Sequence, residues 1–554
     1  MQQVKETRTE RVTCFVMFCL ILGFYVATRP FNQAESYDSI NYALFAENFP
    51  LGTAPDARNI LFHAFNRAMF VALEWLGLGV RGLELIVSIS LVTGAASLVL
   101  FARLMKRGFG VSSFSSWMGA MFLGLTYGFW RYAGAAEVYI PSIFLILCSL
   151  TFIFKFLDDE NKNYRTLFVA SIFSGVAVLY YNPNAIALFI ATFILFCSRS
   201  RFFSFVRYSV VGALVVVAGI VASFVMINGS FPSPEGIVDF LGSRNGEFRD
   251  RPSLPTAIVK SVLAFGHDVY AAHWTRTLDP VRTALDPFIP GCIYNFNVVV
   301  FAGKGIQSFT AIAAILLLPI ALVILRIHWL ASRKWKFSRP SLAVCFLLGW
   351  FALMVLIVGT IDPGSFEAWI PALVPLAGLL TVLVIEPCYQ TGNKRILLIF
   401  LLLTLAYNFF GGAMIWRNNE GDIFFHKTAW IRQELNQNDT VLLNEFDYRV
   451  VDYLNYYSDA RVANLTESDR IIIFRSHPEI RSVSIDEFMA SHKKDKFRLF
   501  VMDDVLSPPT EIKSCRYGEA RFEAALGLAK RLNQDAVLVN SDAFGKTYQI
   551  KPSE

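Results

Sequence analysis

"GLELIVSISLVTGAASLVLFA", residues 82–102, decides what kind of protein this is. Glu84 is its single charged residue, and the run is long enough to cross a hydrocarbon core as a helix. Arg103, Lys106 and Arg107 follow at once, the kind of cluster that marks a cytoplasmic helix end. Ten further stretches read the same way: 12–28, 114–130, 138–157, 166–181, 184–198, 208–227, 308–326, 340–360, 369–386 and 396–416. The expected fold is a polytopic α-helical membrane protein of about eleven transmembrane helices. The fifth and sixth stretches are separated only by the tight turn "YYNPN" (180–184), and the sixth is short.

Composition agrees. The chain has 554 residues, 55% hydrophobic and only 17% charged, more apolar surface than soluble cores of this size can bury. The formal charge of +6 comes with no basic patch interleaved with aromatics, so no nucleic-acid partner is expected. The start could pass for a signal peptide, but "YVATRPF" is a poor cleavage site and many spans follow. It reads as a retained first helix. Six of the eight cysteines lie in or beside apolar segments, which argues against a disulfide framework.

The short connections give an orientation. One set carries nineteen Lys and Arg, while the opposite loops 131–137, 182–183 and 361–368 carry only Arg131. The first set is expected in the cytoplasm with the N-terminus, and the C-terminus outside. Two long external loops follow, 29–81 and 228–307. Residues 60–77 are apolar but hold His63, Arg67 and Glu74, so they read as an interfacial helix. The division expected is a membrane domain, 1–417, and an extracytoplasmic α/β domain, 418–554. "TVLLNEFD", "RIIIF", "FRLFVMDD" and "AVLVNSD" are its strands, with helical stretches near 427–437 and 519–533.

The chemistry gathers on the outer face. "AESYDSINYA" (34–43) sets Glu35 and Asp38 just past the first span. "RYAGAAEVYIP" (131–141) sets Arg131 and Glu137 at another span end, and "IDPGSFEAWIP" (361–371) adds Asp362 and Glu367. Ionisable groups are costly at membrane depth and tend to mark function. Arginines suit a lipid-borne phosphate, and a carboxylate suits removal of a hydroxyl proton. The bland alternative is a solvated loop with arginines snorkelling to headgroups. "GHDVYAAHW" brings His267, Asp268 and His273 close in sequence, but without a helical metal-ligand spacing. "GLGVRG" (77–82) has no preceding strand, so it is no dinucleotide site.

These segments resemble the GT-C class of integral-membrane glycosyltransferases, which includes protein O-mannosyltransferases and the aminoarabinose transferase of lipid A. "SYDSINYALFAENFP" with "RNILFHAFNRAMF" resembles their first loop. "YGFWRYAGAAEVYIPSIFL" is similar to the second-loop region of the O-mannosyltransferase branch, and "EAWIPALVPLAGLL" to a late span of the class. The resemblance covers about residues 10–415. It implies an inverting transfer of sugar from a polyprenyl-phosphate donor to a hydroxyl of a glycan, lipid or protein. Asp38 takes the catalytic-base position and Glu137 that of the second acid. Many members show adjacent Asp-Glu; here "SY" separates Glu35 from Asp38, so Glu35 is the other candidate base. Arg58, Arg67 and Arg131 are candidates for the donor phosphate, and His63, Tyr139 and Glu367 for substrate contacts. No dedicated metal ligands are expected, although a divalent cation between carboxylate and phosphate is compatible with the class. The alternative reading is a lipid or glycoconjugate transporter. It would more often bury charge near the midplane and show repeat symmetry, and this chain shows neither.

Overall fold

A computed structural model describes residues 8–33, 36, 38–50, 59–159, 163–186, 188–189, 191, 195, 202–242, 253–271, 317, 320, 323–324, 326, 341–417, 422–444, 448–465, 470–474, 481–495, 498–508, 518–542 and 545–551. In chain order the first helices are α1 (Arg8–Ala27), α2 (Ser39–Asn48), α3 (Ile60–Trp75), α4 (Gly82–Gly108), α5 (Ser113–Leu125), α6 (Tyr127–Ala133) and α7 (Tyr139–Asp158). There follow α8 (Tyr164–Tyr180), α9 (Phe202–Asn228), α10 (Pro234–Gly242), α11 (Leu254–Val269) and α12 (Ser341–Ile361). The last long helices are α13 (Phe366–Gln390) and α14 (Lys394–Trp416).

Seven helices among the described residues are long and apolar enough to cross a membrane: α1, α4, α7, α9, most of α12, α13 and α14. This is an integral membrane protein. The other expected spans differ. The fifth is α8, a shorter apolar helix. The third breaks at Thr126, whose backbone is extended at φ −59°, ψ 141°, and whose Oγ1 donates to Leu123 O at 2.6 Å. That break releases α6 as a separate turn at the span end. Much of the sixth stretch and most of the eighth (308–326) lie outside the described residues.

Of these seven helices α13 is the most enclosed, with 72% of its apolar stretch buried, whereas only 11% of that of α1 and of α9 is buried. The outer helices therefore turn apolar side chains such as Phe15, Phe203 and Leu214 outward, toward lipid. Inside, hydroxyls join neighbouring spans: Ser149 of α7 bonds Ser174 of α8 at 2.6 Å, and Ser174 bonds Tyr208 of α9. The apolar stretch 60–77 is helical as α3, and the loop 228–307 contains helix α11.

Among the described residues the tail folds around a sheet of seven strands: β1 (Asp439–Leu443), β2 (Arg461–Leu465), β3 (Arg470–Phe474), β4 (Arg481–Ser484), β5 (Arg498–Met502), β6 (Ala536–Asp542) and β7 (Gly545–Ile550). Their order is β4-β3-β2-β1-β5-β7-β6, with β1 parallel to β2 and β5 and the other pairs antiparallel. Strand alternation sorts side chains to two faces. Val441, Leu443, Val462 and Phe500 pack with α15 (Tyr448–Tyr457) and with Ile40, Ala43, Tyr127 and Trp416. Leu442, Ala463, Leu499 and Val501 pack beneath α16 (Ile485–Asp495) and α17 (Gly518–Leu532). Arg498 holds β5 to β1 through a two-pronged pair with Asp439, 2.7 Å on each prong.

Candidate active site

Helix α2 starts with Asp38 at its N-terminal boundary, where the helix dipole favours a carboxylate. One turn on, Tyr42 donates its hydroxyl to Asp38 Oδ2 at 3.0 Å. Between them Ser39 donates to Glu137 Oε1 at 3.2 Å. The start of α2 and the turn before α7 thus meet at neighbouring residues.

Glu137 sits in the turn between α6 and α7 and is fully buried. Burial pushes its pKa well above the usual carboxylate range. The charges of Glu367 and Asp38 push it further, and Ser39 and Arg131 oppose them. Its Oε2 has no hydrogen-bond partner among the described residues. Glu367, in the first turn of α13, accepts from Tyr132 at 3.2 Å and from Tyr139 at 2.9 Å. The Tyr139 ring stands edge-on to Tyr132 and Tyr181. Tyr42 feels all three acids, and its pKa rises through burial first and then through Asp38, Glu137 and Glu367. Three carboxylates from three distant segments therefore occupy one neighbourhood, walled by tyrosines.

The arginines divide. Arg131 is buried beside this cluster, donating to Asn32 O at 3.1 Å, with its guanidinium 5.6 Å from the Trp416 ring centre. Arg67 Nη1 donates to Ala46 O and Glu47 O, 2.9 and 2.8 Å away, at the carboxyl end of α2. His63 is buried among aromatic rings, 5.2 Å from both Tyr42 and Phe45 and 5.3 Å from Phe62. Glu35 and Arg58 lie outside the described residues, as does His273. His267 and Asp268 are buried at the end of α11, His267 against the Tyr127 and Phe366 rings. Asp268 lies against Gly128, where a side-chain Cβ would come within 2.7 Å of its Oδ1.

Sequence reading passed over Ser39, Tyr42 and Tyr132. The four-residue step from Asp38 to Tyr42 was the available signal, since helix neighbours at that spacing meet. Among the described residues no three His, Cys, Asp or Glu side chains stand close enough to hold a metal ion together.

No family model and no curated relative matches the chain by sequence. Solved structures match it by shape. ArnT from Cupriavidus metallidurans bound to undecaprenyl phosphate is 13% identical, with a TM-score of 0.51 over 97% of each chain. The same ArnT in the apo state gives 0.50 over 98% of each chain, also at 13% identity. The apo oligosaccharyltransferase of Archaeoglobus fulgidus gives 0.51 at 13% identity, over 99% of this chain and 75% of that one.

Proposed function

We propose, from the premise that this chain carries the GT-C fold of those structures, that it is a membrane glycosyltransferase using a polyprenyl-phosphate sugar. The observation that carries the reading is the convergence of Asp38, Glu137 and Glu367 beside the buried Arg131. The occupancy of ArnT by undecaprenyl phosphate supports a donor of that kind.

The acceptor hydroxyl attacks the anomeric carbon as the bond from that carbon to the phosphate oxygen breaks. Polyprenyl phosphate leaves with the bonding electrons, and the anomeric centre inverts. Asp38 takes the hydroxyl proton, with Glu35 as the other candidate base. Arg131 meets the charge developing on the phosphate, with Arg58 and Arg67 as further candidates. Glu367, Tyr139 and His63 orient the sugars, and Glu137 is the second acid. A divalent cation held between one carboxylate and the donor phosphate would add charge stabilisation there. The acceptor is a glycan, lipid or protein hydroxyl.

In this reading the N-terminus is cytoplasmic, the tail from residue 418 is an extracytoplasmic domain, and chemistry occurs at the outer face, most simply of the plasma or inner membrane. The test offers labelled polyprenyl-phosphate sugars of several kinds to membranes holding the protein. Label leaving the polyprenyl-phosphate donor for any other species, lipid included, supports the reading. Label that stays on the polyprenyl-phosphate donor across a broad panel, while that lipid crosses the bilayer faster, supports a transporter instead.

A further inference from the structure

The tail reaches the proposed active site through α2. This short helix has two apolar faces. Tyr42 and Ala46 belong to the core of the membrane bundle, whereas Ile40 and Ala43 join the core that contains Val450, Val451, Tyr453, Leu454 and Tyr456 of α15. The helix that Asp38 opens is thus packed between bundle and tail.

Polar contacts fix both ends of this segment. At the far end of α2, Glu47 Oε1 accepts from Tyr456 hydroxyl at 2.9 Å, from Arg81 Nε at 3.0 Å and from Gly82 N at 2.6 Å. Arg81 also donates to Tyr456 O at 3.1 Å and covers its ring at 4.2 Å. Leu83 N donates to the Tyr456 hydroxyl at 3.2 Å. One tail residue therefore ties the end of α2 to the start of α4. Gly82 makes the close approach feasible, since a Cβ there would stand 2.8 Å from Ala43 O.

Ahead of Asp38, Phe31 N and Asn32 N both donate to Trp416 O, at 2.9 and 3.1 Å, where the last span leads into the tail. The Tyr453 hydroxyl donates to Asp422 at 2.5 Å and meets the backbone of Gln33. Asp422 is itself fixed, capping a short helix through Phe425 N at 2.9 Å.

We infer that the tail is a positioning element for the site: Tyr456 and Tyr453 hold the segment bearing Asp38 from its two ends and set the placement of that carboxylate. Neither tyrosine is a catalytic residue. The inference rests on the reading of Asp38 as base, and its mechanical part stands apart from that reading. Small misplacements of a catalytic group are costly, so a clamp on α2 acts on turnover before it acts on donor binding.

The test uses Tyr456→Phe and Tyr453→Phe in the full chain, in lipid nanodiscs. Each variant keeps its ring and its packing and loses one hydroxyl. Backbone hydrogen exchange is followed in α2 and, as the folding control, in β1 and β5. The expected result is exchange in α2 faster by about five- to tenfold, the size that one or two lost hydrogen bonds give, with the strands unchanged. Transfer should fall about tenfold or more in kcat with KM for the donor held. Unchanged exchange in α2, or equal acceleration in α2 and the sheet, overturns the inference. Loosened α2 in a protein whose wild type transfers no label overturns the glycosyltransferase reading and leaves the clamp standing.

Discussion

Ser39 donates to Glu137 across 98 residues of sequence, and by doing so joins the start of α2 to the turn before α7. The contact places the second acid next to the residue that follows Asp38. It also leaves Glu137 with one satisfied oxygen and one that meets no partner among the described residues. A carboxyl in that state is most comfortable neutral.

Stability should carry the signature of this burial. The folded-state pKa of Glu137 lies well above its ordinary value of 4.5. The folded protein therefore holds that proton more tightly than the unfolded chain does. The corresponding stability is complete below the ordinary value and is lost as pH rises toward the raised folded value. Glu137→Gln removes the titration. Measured by thermal unfolding in chelating buffer, the variant should gain on wild type as pH rises from about 5 to about 8. Parallel curves would show that Glu137 is not held neutral.

Glu367 should act as a unit with its tyrosines. Tyr139→Phe removes the 2.9 Å bond and Glu367→Gln removes the charge that receives it. In a double-mutant cycle on kcat/KM, the combined loss should fall short of the sum by about 1 kcal/mol. Additive losses would mean that Tyr139 does not orient Glu367 for turnover.

Arg131 should be intolerant of lysine. Its buried guanidinium already serves Asn32 O and lies against Trp416, and a compact ammonium cannot copy that planar fork. Arg131→Lys should raise the donor KM about tenfold, read by titrating the labelled donor in the transfer assay. An unchanged KM would move the phosphate contact to Arg58 or Arg67.

Much of this was legible in the chain because membranes make polarity expensive. The spans announce themselves by length and apolarity, and Asp38, Glu137 and Glu367 stand out as acids beside span ends, where ionisable groups are costly. The break at Thr126 was not legible, because no proline marks it and packing around α6 decides it. In the tail, "RVANL" and "GKTYQI" escaped notice as β2 and β7, since short polar strands gain their state from partners far away in sequence. Helix α15 escaped as well. Its stripe of Val450, Val451, Tyr453 and Leu454 has meaning only against the sheet and α2. Ser39 and Tyr132 were invisible because a hydroxyl in a helix costs little and signals little.

The most direct test of the central claim compares wild type with Asp38→Asn in the lipid-linked sugar transfer assay, with donor binding measured on the same membranes. Loss of a positioned base should lower transfer by about a hundredfold to ten-thousandfold while the donor still binds and the protein still folds. Turnover by Asp38→Asn at the wild-type rate would contradict the account, because the carboxylate at the start of α2 would then take no proton.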